Sequence, residues 1–334
     1  MKIIIDAMSG DKAPEEIVKG AVMARRELGV DVVLVGQQEV VKACLEAESC
    51  TDIEVVDARD VITMEDDPST ATRRKKDASM TVALNMLRDG SGDAVVSAGS
   101  TGALLTGATL IVKRINGIRR AALAPVLPNG GKGVVLIDSG ANVDCTPEYL
   151  LQFAYMGSFY ARNMLGLENP RVGLANVGTE DTKGGVLQHE TFQLLKAAGE
   201  AGRINFIGNV EGNGVFSGDV DVLVADGFTG NLMLKTAESM IKFMMGNLKS
   251  VFYKNLKNKL AAADLKGDLA QMKKTLDVKE VGGTVMLGIS RPVIKAHGSS
   301  DARCILAAVR QAVTCVNSGI TEEIKANIEY MKIG

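Results

Sequence analysis

The chain has no tryptophan, and its 334 residues include only eight Phe and five Tyr. Aromatic platforms for stacking nucleic-acid bases therefore have little material. An excess of charge of either sign is also missing, with Lys+Arg 38 against Asp+Glu 40. That balance removes the broad basic field that nucleic acid requires, so nucleic acid is not an expected partner and any anion site must be local. Cys44, Cys50, Cys145, Cys304 and Cys315 are odd in number and form no CxxC pair. Neither a disulfide framework nor a zinc ribbon follows, and a reducing cytoplasm is the expected location. His189 and His297 are the only histidines, and neither has a second His or Cys at ligand spacing, so no zinc site is expected. No run approaches the roughly 18 to 20 apolar residues of a membrane-spanning helix. The opening run from Met1 to Asp6 is too short for a signal-peptide core and closes on a carboxylate. Contact with a membrane would be peripheral.

What is present is enough apolar material, 46% of residues, to bury a large core. Short β-branched runs alternate with loops of Gly, Ser, Thr and Asp and then with helical stretches, which predicts an α/β fold built from βαβ units. Nine strands are expected: Lys2 to Asp6, Val32 to Gly36, Ile53 to Asp57, Ala94 to Ser97, Gly133 to Asp138, Arg171 to Val177, Asn205 to Gly208, Val220 to Ala225 and Pro292 to Lys295. Such continuous apolar strands suit a sheet covered on both faces. Pro14 with Glu15 and Glu16 predicts one helix start, and Thr146 before Pro147 and Glu148 another. With no repeat, Pro-rich linker or low-complexity tract, residues 1–334 read as one doubly wound unit, a single domain with an insertion.

The insertion is the stretch 242–274, which carries eight lysines (242, 249, 254, 257, 259, 266, 273, 274) against Asp264 and Asp268. Met244, Met245, Leu248, Val251, Phe252, Leu256 and Leu260 recur near helical spacing beside that basic face. It fits a dimer-facing or core-facing helix with a solvated back. It also fits a docking surface for an acidic carrier protein or an anionic lipid surface, with Lys249, Phe252, Lys254 and Lys257 as contacts.

In an open parallel sheet, ligands bind beyond the carboxyl ends of the strands, where helix N-termini offer N–H groups to anions. Five loops there combine glycine with small polar side chains: 6–12, 97–102, 138–142, 226–231 and 297–301. Glycine admits a ligand close to the backbone, and several such loops in one chain point to phosphate or a phosphorylated ligand. A sixth loop, 178–185, adds Lys183 as the first candidate to hold phosphate. Gly212-Asn213-Gly214 has GxGxxxG spacing and no clear helix behind it, so it is not a dinucleotide fingerprint. Gly230 to Thr236 lacks the glycine before Lys235 that a Walker loop needs. Arg73-Arg74-Lys75-Lys76 reads as a solvated helix face that could instead face a substrate cleft.

Taken in order, these segments resemble the PlsX family of acyl-acyl carrier protein:phosphate acyltransferases. The resemblance runs from Ile5-Asp6-Ala7-Met8, Gly10-Asp11 and Ala13-Pro14 through Arg73 to Asp77, Ser97-Ala98-Gly99 and Thr101-Gly102-Ala103. It continues with Gly140 to Cys145, Asn205 to Gly212, Asp226 to Asn231 and His297 to Asp301, and so covers essentially the whole chain. Ser9, Lys12 and Ser100 stand where the family commonly has Gly, His and Asn. The resemblance implies a three-layer αβα Rossmann-like sandwich related to isocitrate dehydrogenase-like and phosphotransacetylase proteins. It also implies a homodimer and a cytoplasmic enzyme peripherally associated with the inner face of the membrane; separately, no cofactor is expected. Acyl carrier protein and inorganic phosphate are the implied substrates, and a membrane glycerol-3-phosphate acyltransferase would receive the acyl phosphate.

Phosphate is already an ionised nucleophile near neutral pH, and a thiol of pKa about 8.5 is a good leaving group, so attack on a thioester needs no strong base. The expected catalytic groups are Lys183, Asn231 for the oxyanion, and His297. Phosphate binding is expected from Gly99, Ser100, Thr101, Gly102, Gly10, Asp11, Gly230 and Ser299. Asp6, Asp11, Asp138 and Asp226 could bind magnesium, although capping and loop hydrogen bonds also explain them. Two other functions are a phosphotransacetylase acting on a small acyl-coenzyme A and a noncatalytic phosphate-binding or membrane-scaffold protein.

Overall fold

The computed structural model describes residues 1–276 and 282–332. A seven-stranded sheet comes first in the chain: β1 (Lys2–Asp6), β2 (Asp31–Gly36), β3 (Glu54–Asp57), β4 (Ala94–Ser97) and β5 (Ala122–Ala124). The second sheet takes β6 (Val126–Leu127), β7 (Val134–Ile137), β8 (Arg171–Ala175), β9 (Asn205–Val210) and β10 (Val222–Val224). β11 (Thr284–Leu287) and β12 (Val293–Lys295) return to the first sheet, whose order is β3-β2-β1-β4-β12-β11-β5. β11 alone runs antiparallel there. The second sheet has the order β6-β7-β10-β8-β9 and is parallel except for β6.

All nine expected strands form, and three more, β5, β6 and β11, join them. The strands divide between two sheets, where the sequence reading has one doubly wound unit. Pro125 stands at the division: it has no N–H to donate, so the strand is interrupted there, and β5 and β6 pair in different sheets. The sheets are tied together at this seam, where Ser139 N–H donates to Leu123 O and Leu136 N–H donates to Pro125 O.

One continuous core joins both sheets. The helices α1 (Glu15–Leu28), α2 (Gln38–Ala47), α3 (Ala71–Arg74), α4 (Ser79–Arg88) and α5 (Thr101–Gly107) belong to the first half of the chain. At its centre lies α6 (Pro147–Leu165), in which every residue from Leu150 to Ala161 is buried, because it packs against β7, β10 and α7 (Val186–Glu200) together. A helix apolar on all sides needs such surroundings. Its buried Tyr160 hydroxyl accepts from Gln311 Nε2 at 2.8 Å, and Thr146 and Pro147 open it as the sequence predicts. Late in the chain α8 (Gly227–Tyr253), α9 (Leu256–Asp264) and α10 (Lys266–Leu276) follow one another, before α11 (Ala302–Ser318) and α12 (Ile320–Ala326) close on α6 and α1. The basic segment thus begins inside α8. No single helix among the described residues is long and apolar enough to cross a membrane.

Candidate active site

Loops beyond the carboxyl ends of β4 and β12 face the loop after β7 and the first turns of α8, and a cleft of about 290 Å³ lies between them. Thr101, Ser139, Gly140, Asn231, Lys235, Lys295, His297 and Ser300 contribute polar groups to its wall. This is the position that the strand-end rule assigns to ligands.

On the first-sheet side the loops are held by a buried carboxylate. Asp6 accepts from Ser79 Oγ and Ser97 Oγ, both at 2.6 Å, and Ser97 Oγ in turn accepts from Gly99 N at 3.1 Å. That network fixes the turn in which Ser100 caps α5, accepting from Ala103 N at 3.5 Å, and sets Thr101 at the cleft. Gly10 has φ +119°, and a Cβ there would come within 3.0 Å of Ala98 Cβ and 3.2 Å of Gly298 O. Its neighbour Asp11 donates N–H to Gly298 O at 2.8 Å. Gly10, Asp11, Gly99 and Gly102 therefore brace the loops against one another and are not themselves lining groups.

On the other side Asp138 does the equivalent work. It accepts from Leu123 N (2.9 Å), Ser139 N (2.8 Å), Asn142 N (2.6 Å) and Asn142 Nδ2 (3.1 Å), binding β5 to the loop after β7. Burial pushes its carboxyl above the ordinary range in spite of these donors. Asp226 caps α8 through Thr229 N and Thr229 Oγ1, both at 2.8 Å. The first turn of α8 then lies directly on the Asp138 loop: a Cβ on Gly230 would sit 1.9 Å from Asp138 O, and one on Gly227 2.5 Å from Asn142 O. This contact accounts for both glycines and carries Asn231 over Gly140 into the cleft. Asp6, Asp138 and Asp226 are thus engaged in loop and cap hydrogen bonds. Among the described residues no group of three or more His, Cys, Asp or Glu could hold a metal ion.

Lys295, at the end of β12, and Lys235, one helical turn after Asn231, give the cleft its cationic character. Lys295 is half-buried, and burial first, then repulsion by Lys235, lowers its pKa to about 8. Lys235 is more exposed and meets Glu238 Oε2 at 3.0 Å. The His297 ring lines the same cleft. Its Nδ1 accepts the Ser299 N–H at 3.2 Å and lies 3.0 Å from Ser299 Oγ. Because a backbone N–H can only donate, Nδ1 is an acceptor, and the proton of the neutral ring belongs on Nε2. Asp301 caps α11 by accepting from Cys304 N at 3.0 Å, which holds its carboxyl below the ordinary range.

The cleft therefore brings together Thr101, Asn231 and His297 of the sequence-derived candidates, with Ser100 and Ser299 directly behind them. It does not include Lys183. That side chain is half-exposed on the loop after β8, with Glu180 Oε1 at 4.0 Å. β8, β10 and β7 are parallel neighbours, so the Lys183 loop leaves the same edge of the second sheet as the loops bearing Asn231 and Ser139. Sequence reasoning missed Lys235, set aside with the failed Walker pattern, and Lys295, read only as a strand end. The spacing of Asn231 and Lys235, four residues apart on one helix face, was the available signal for the first. Position at the carboxyl end of a parallel strand was the signal for the second.

Elsewhere, Gly212–Phe216 forms a single 3₁₀ turn and Gly230 to Thr236 lies within α8, in line with setting both aside as nucleotide motifs. In the basic run Lys75 meets Asp66 Oδ2 at 2.9 Å and Val61 O at 2.8 Å, while Arg73, Arg74 and Lys76 are exposed. Lys249, Lys254 and Lys257 are exposed on α8 to α9, and Phe252 is half-buried. The side chains of Lys273 and Lys274 lie outside the described residues.

Two α/β sheets with a cleft between their carboxyl edges define a class of fold shared with phosphotransacylating enzymes and some dehydrogenases. The phosphotransacetylase of Streptococcus pyogenes superposes with a TM-score of 0.64 at 16% identity, covering 95% of this chain and 94% of its own. The 4-hydroxythreonine-4-phosphate dehydrogenase of Klebsiella pneumoniae gives 0.54 at 14% identity, over 95% and 99%. The chain belongs to the fatty acid synthesis protein family, whose model matches residues 1–323, as one of its acyltransferases. It is 45% identical over 330 residues to the phosphate acyltransferase of Oceanobacillus iheyensis, covering 98% of each chain. With that of Anoxybacillus flavithermus it shares 46% over 334 residues, or 99% of this chain and all of the other.

Proposed function

We propose that this acyltransferase moves a long-chain acyl group from the thioester of acyl carrier protein to inorganic phosphate, and that the acyl phosphate feeds phospholipid synthesis. The observation that carries the proposal is the joining of Asn231, Lys235, Lys295 and His297 in one cleft beside an α-helix N-terminus. A phosphate oxygen attacks the thioester carbonyl carbon and forms the new C–O bond. The carbonyl oxygen becomes an oxyanion, the C–S bond breaks, and the sulfur leaves as thiolate and takes a proton.

Asn231 Nδ2 donates to the oxyanion, a preorganised contact of the kind that contributes about 3 to 4 kcal/mol. Neutral His297, with its proton on Nε2, supplies a second donor near the reacting centre, and Ser299 holds the ring by its Nδ1. No nucleophile on the protein is required, because the attacking oxygen is ionised before it binds. The exposed basic and apolar surface of α8 to α10 supports docking of an acidic carrier protein and peripheral membrane contact, and homodimerisation is part of the same proposal.

The test is to incubate purified protein with long-chain acyl carrier protein or acyl-coenzyme A, with and without phosphate, and trap acyl phosphate with hydroxylamine. Phosphate-dependent hydroxamate from the carrier-protein donor is expected. A preference for short-chain acyl-coenzyme A would favour the phosphotransacetylase reading, which the fold likeness supports.

A further inference from the structure

Lys295 is a half-buried ammonium whose hydrogen bond goes to the adjacent carbonyl, Ala296 O. Among the described residues no carboxylate lies within 4 Å of it. Asp6 and Asp11 attract it from β1 and the loop that follows, but the Asp6 oxygens already accept from Ser79, Ser97 and Met8 N. Lys235 faces the same cleft from α8 and repels it. Lys235 is itself paired with Glu238 Oε2 at 3.0 Å, which leaves Lys295 as the half-buried cation whose burial an anion in the cleft would offset.

A second, independent sign is Ser300. It is 1% exposed, lines the cleft, and its Oγ has no hydrogen-bond partner. Buried hydroxyls are nearly always satisfied, so an orphan in a cleft wall calls for a ligand atom. The three groups come from α8, the end of β12 and the entry to α11, and all three can donate. A tetrahedral oxyanion, with several acceptor oxygens pointing in different directions, matches that set better than a flat neutral group.

We propose that Lys235, Lys295 and Ser300 form the seat of the phosphate nucleophile. The proposal deepens the function given above, since it rests on phosphate being a substrate. The titratable groups around Lys295 are Lys235 and Glu238 of α8, Asp6, Asp11 and the neighbouring His297, with the Cys304 thiol on α11. Protonated Lys295 holds the anion and neutral Lys295 does not, so affinity falls as pH rises past about 8. Inorganic phosphate has almost completed its second ionisation by that pH, so its own titration contributes little above it and acts in the opposite direction below it.

The experiment is calorimetric titration of the full chain with inorganic phosphate between about pH 7 and 9.5, alongside steady-state kinetics of hydroxamate formation. We expect Lys295→Gln to raise the phosphate Kd about 30-fold and Ser300→Ala about fivefold, each leaving the KM for the acyl donor within about twofold. Wild-type Kd should rise toward tenfold per pH unit above pH 8, and Lys295→Arg should bind phosphate without that slope. Phosphate affinity within about twofold of wild type in a folded Lys295→Gln protein would overturn the seat. Should that variant fail to fold, persistence of the pH slope in Lys295→Arg overturns it and disappearance supports it. Phosphate binding with these dependences but no hydroxamate from any donor would sink the proposed reaction and leave the seat standing.

Discussion

The cleft and the helical arm from Ala237 to Leu276 each invert the usual burial rule, in opposite senses. Around the cleft, Asp6, Ser97, Asp138, Ser139 and Ser300 are taken out of water. Along the arm, Met240, Phe243, Met244, Val251, Tyr253, Leu256 and Leu260 are left in it. In α8 the buried residues are Gly227, Gly230 and Ala237, all in its first three turns, and α9 has none. Apart from Ser300, whose Oγ is left for a ligand, these buried polar groups have fixed partners, which makes the cleft rigid and sensitive to small changes. An exposed apolar patch on a helix contributes little to the stability of the isolated chain and marks a surface that meets something else.

The sharpest way to break this contrast is Gly230→Ala. The added methyl would meet Asp138 O at 1.9 Å, and neither the helix nor the buried Asp138 loop can give way cheaply. A loss of about 3 kcal/mol of stability is expected, measured by urea denaturation, with loss of nearly all activity. The matched change in the arm, Gly246→Ala, meets nothing within 4 Å and should be neutral or slightly stabilising, as alanine favours helix. Equal effects at the two positions would refute the division drawn between them. Next in size is Asn231→Ala, expected to lower kcat about 100-fold with phosphate and donor binding retained. A change confined to donor affinity would remove Asn231 from the oxyanion role.

Lys183→Ala tests a smaller effect, on the loop after β8, outside both regions. Its ammonium is half-exposed and only loosely paired with Glu180. A fall in kcat/KM of about tenfold is expected, the scale of one solvated charge brought to an anion. Unchanged turnover would restrict the phosphate site to groups within the cleft.

These same regions show what the sequence could reveal. Strands of continuous Val, Ile and Leu were legible because burial on both faces imposes that composition. β5 and β6 were not, since Ala122-Leu123-Ala124-Pro125-Val126-Leu127 contains a proline and pairs across two sheets, a fact of tertiary contact. The start of α8 was hidden for a related reason: Gly227 and Gly230 read as loop, yet they are there because a helix rests on a backbone. Asn231 and His297 were identifiable from loop chemistry. Lys235 and Lys295 carried only a helix-face spacing and a strand-end position, and Ser300 sat within the 297–301 loop; that all three meet on one wall is a fact of tertiary contact that no local pattern records.

The smallest effect on the isolated chain is expected from the arm itself, and it is the most discriminating. Replacing Lys249, Lys254 and Lys257 together by Glu should shift stability by no more than about 0.5 kcal/mol per site, because all three are exposed and none supports the core. Lys249 stands over the Tyr253 ring at 5.9 Å, a contact weak enough in water to lose without consequence. Turnover of a soluble short-chain donor should likewise be unchanged. Sedimentation with vesicles of anionic lipid should tell a different story, since each lysine near such a surface contributes about 1 kcal/mol and reversal adds repulsion. Wild type is expected to co-sediment at low salt and to be released as salt screens the attraction, whereas the triple variant should stay in solution throughout. If the triple variant co-sediments as well as wild type, the arm's charge has no docking role, and its exposed apolar residues must be explained by a partner that ignores charge.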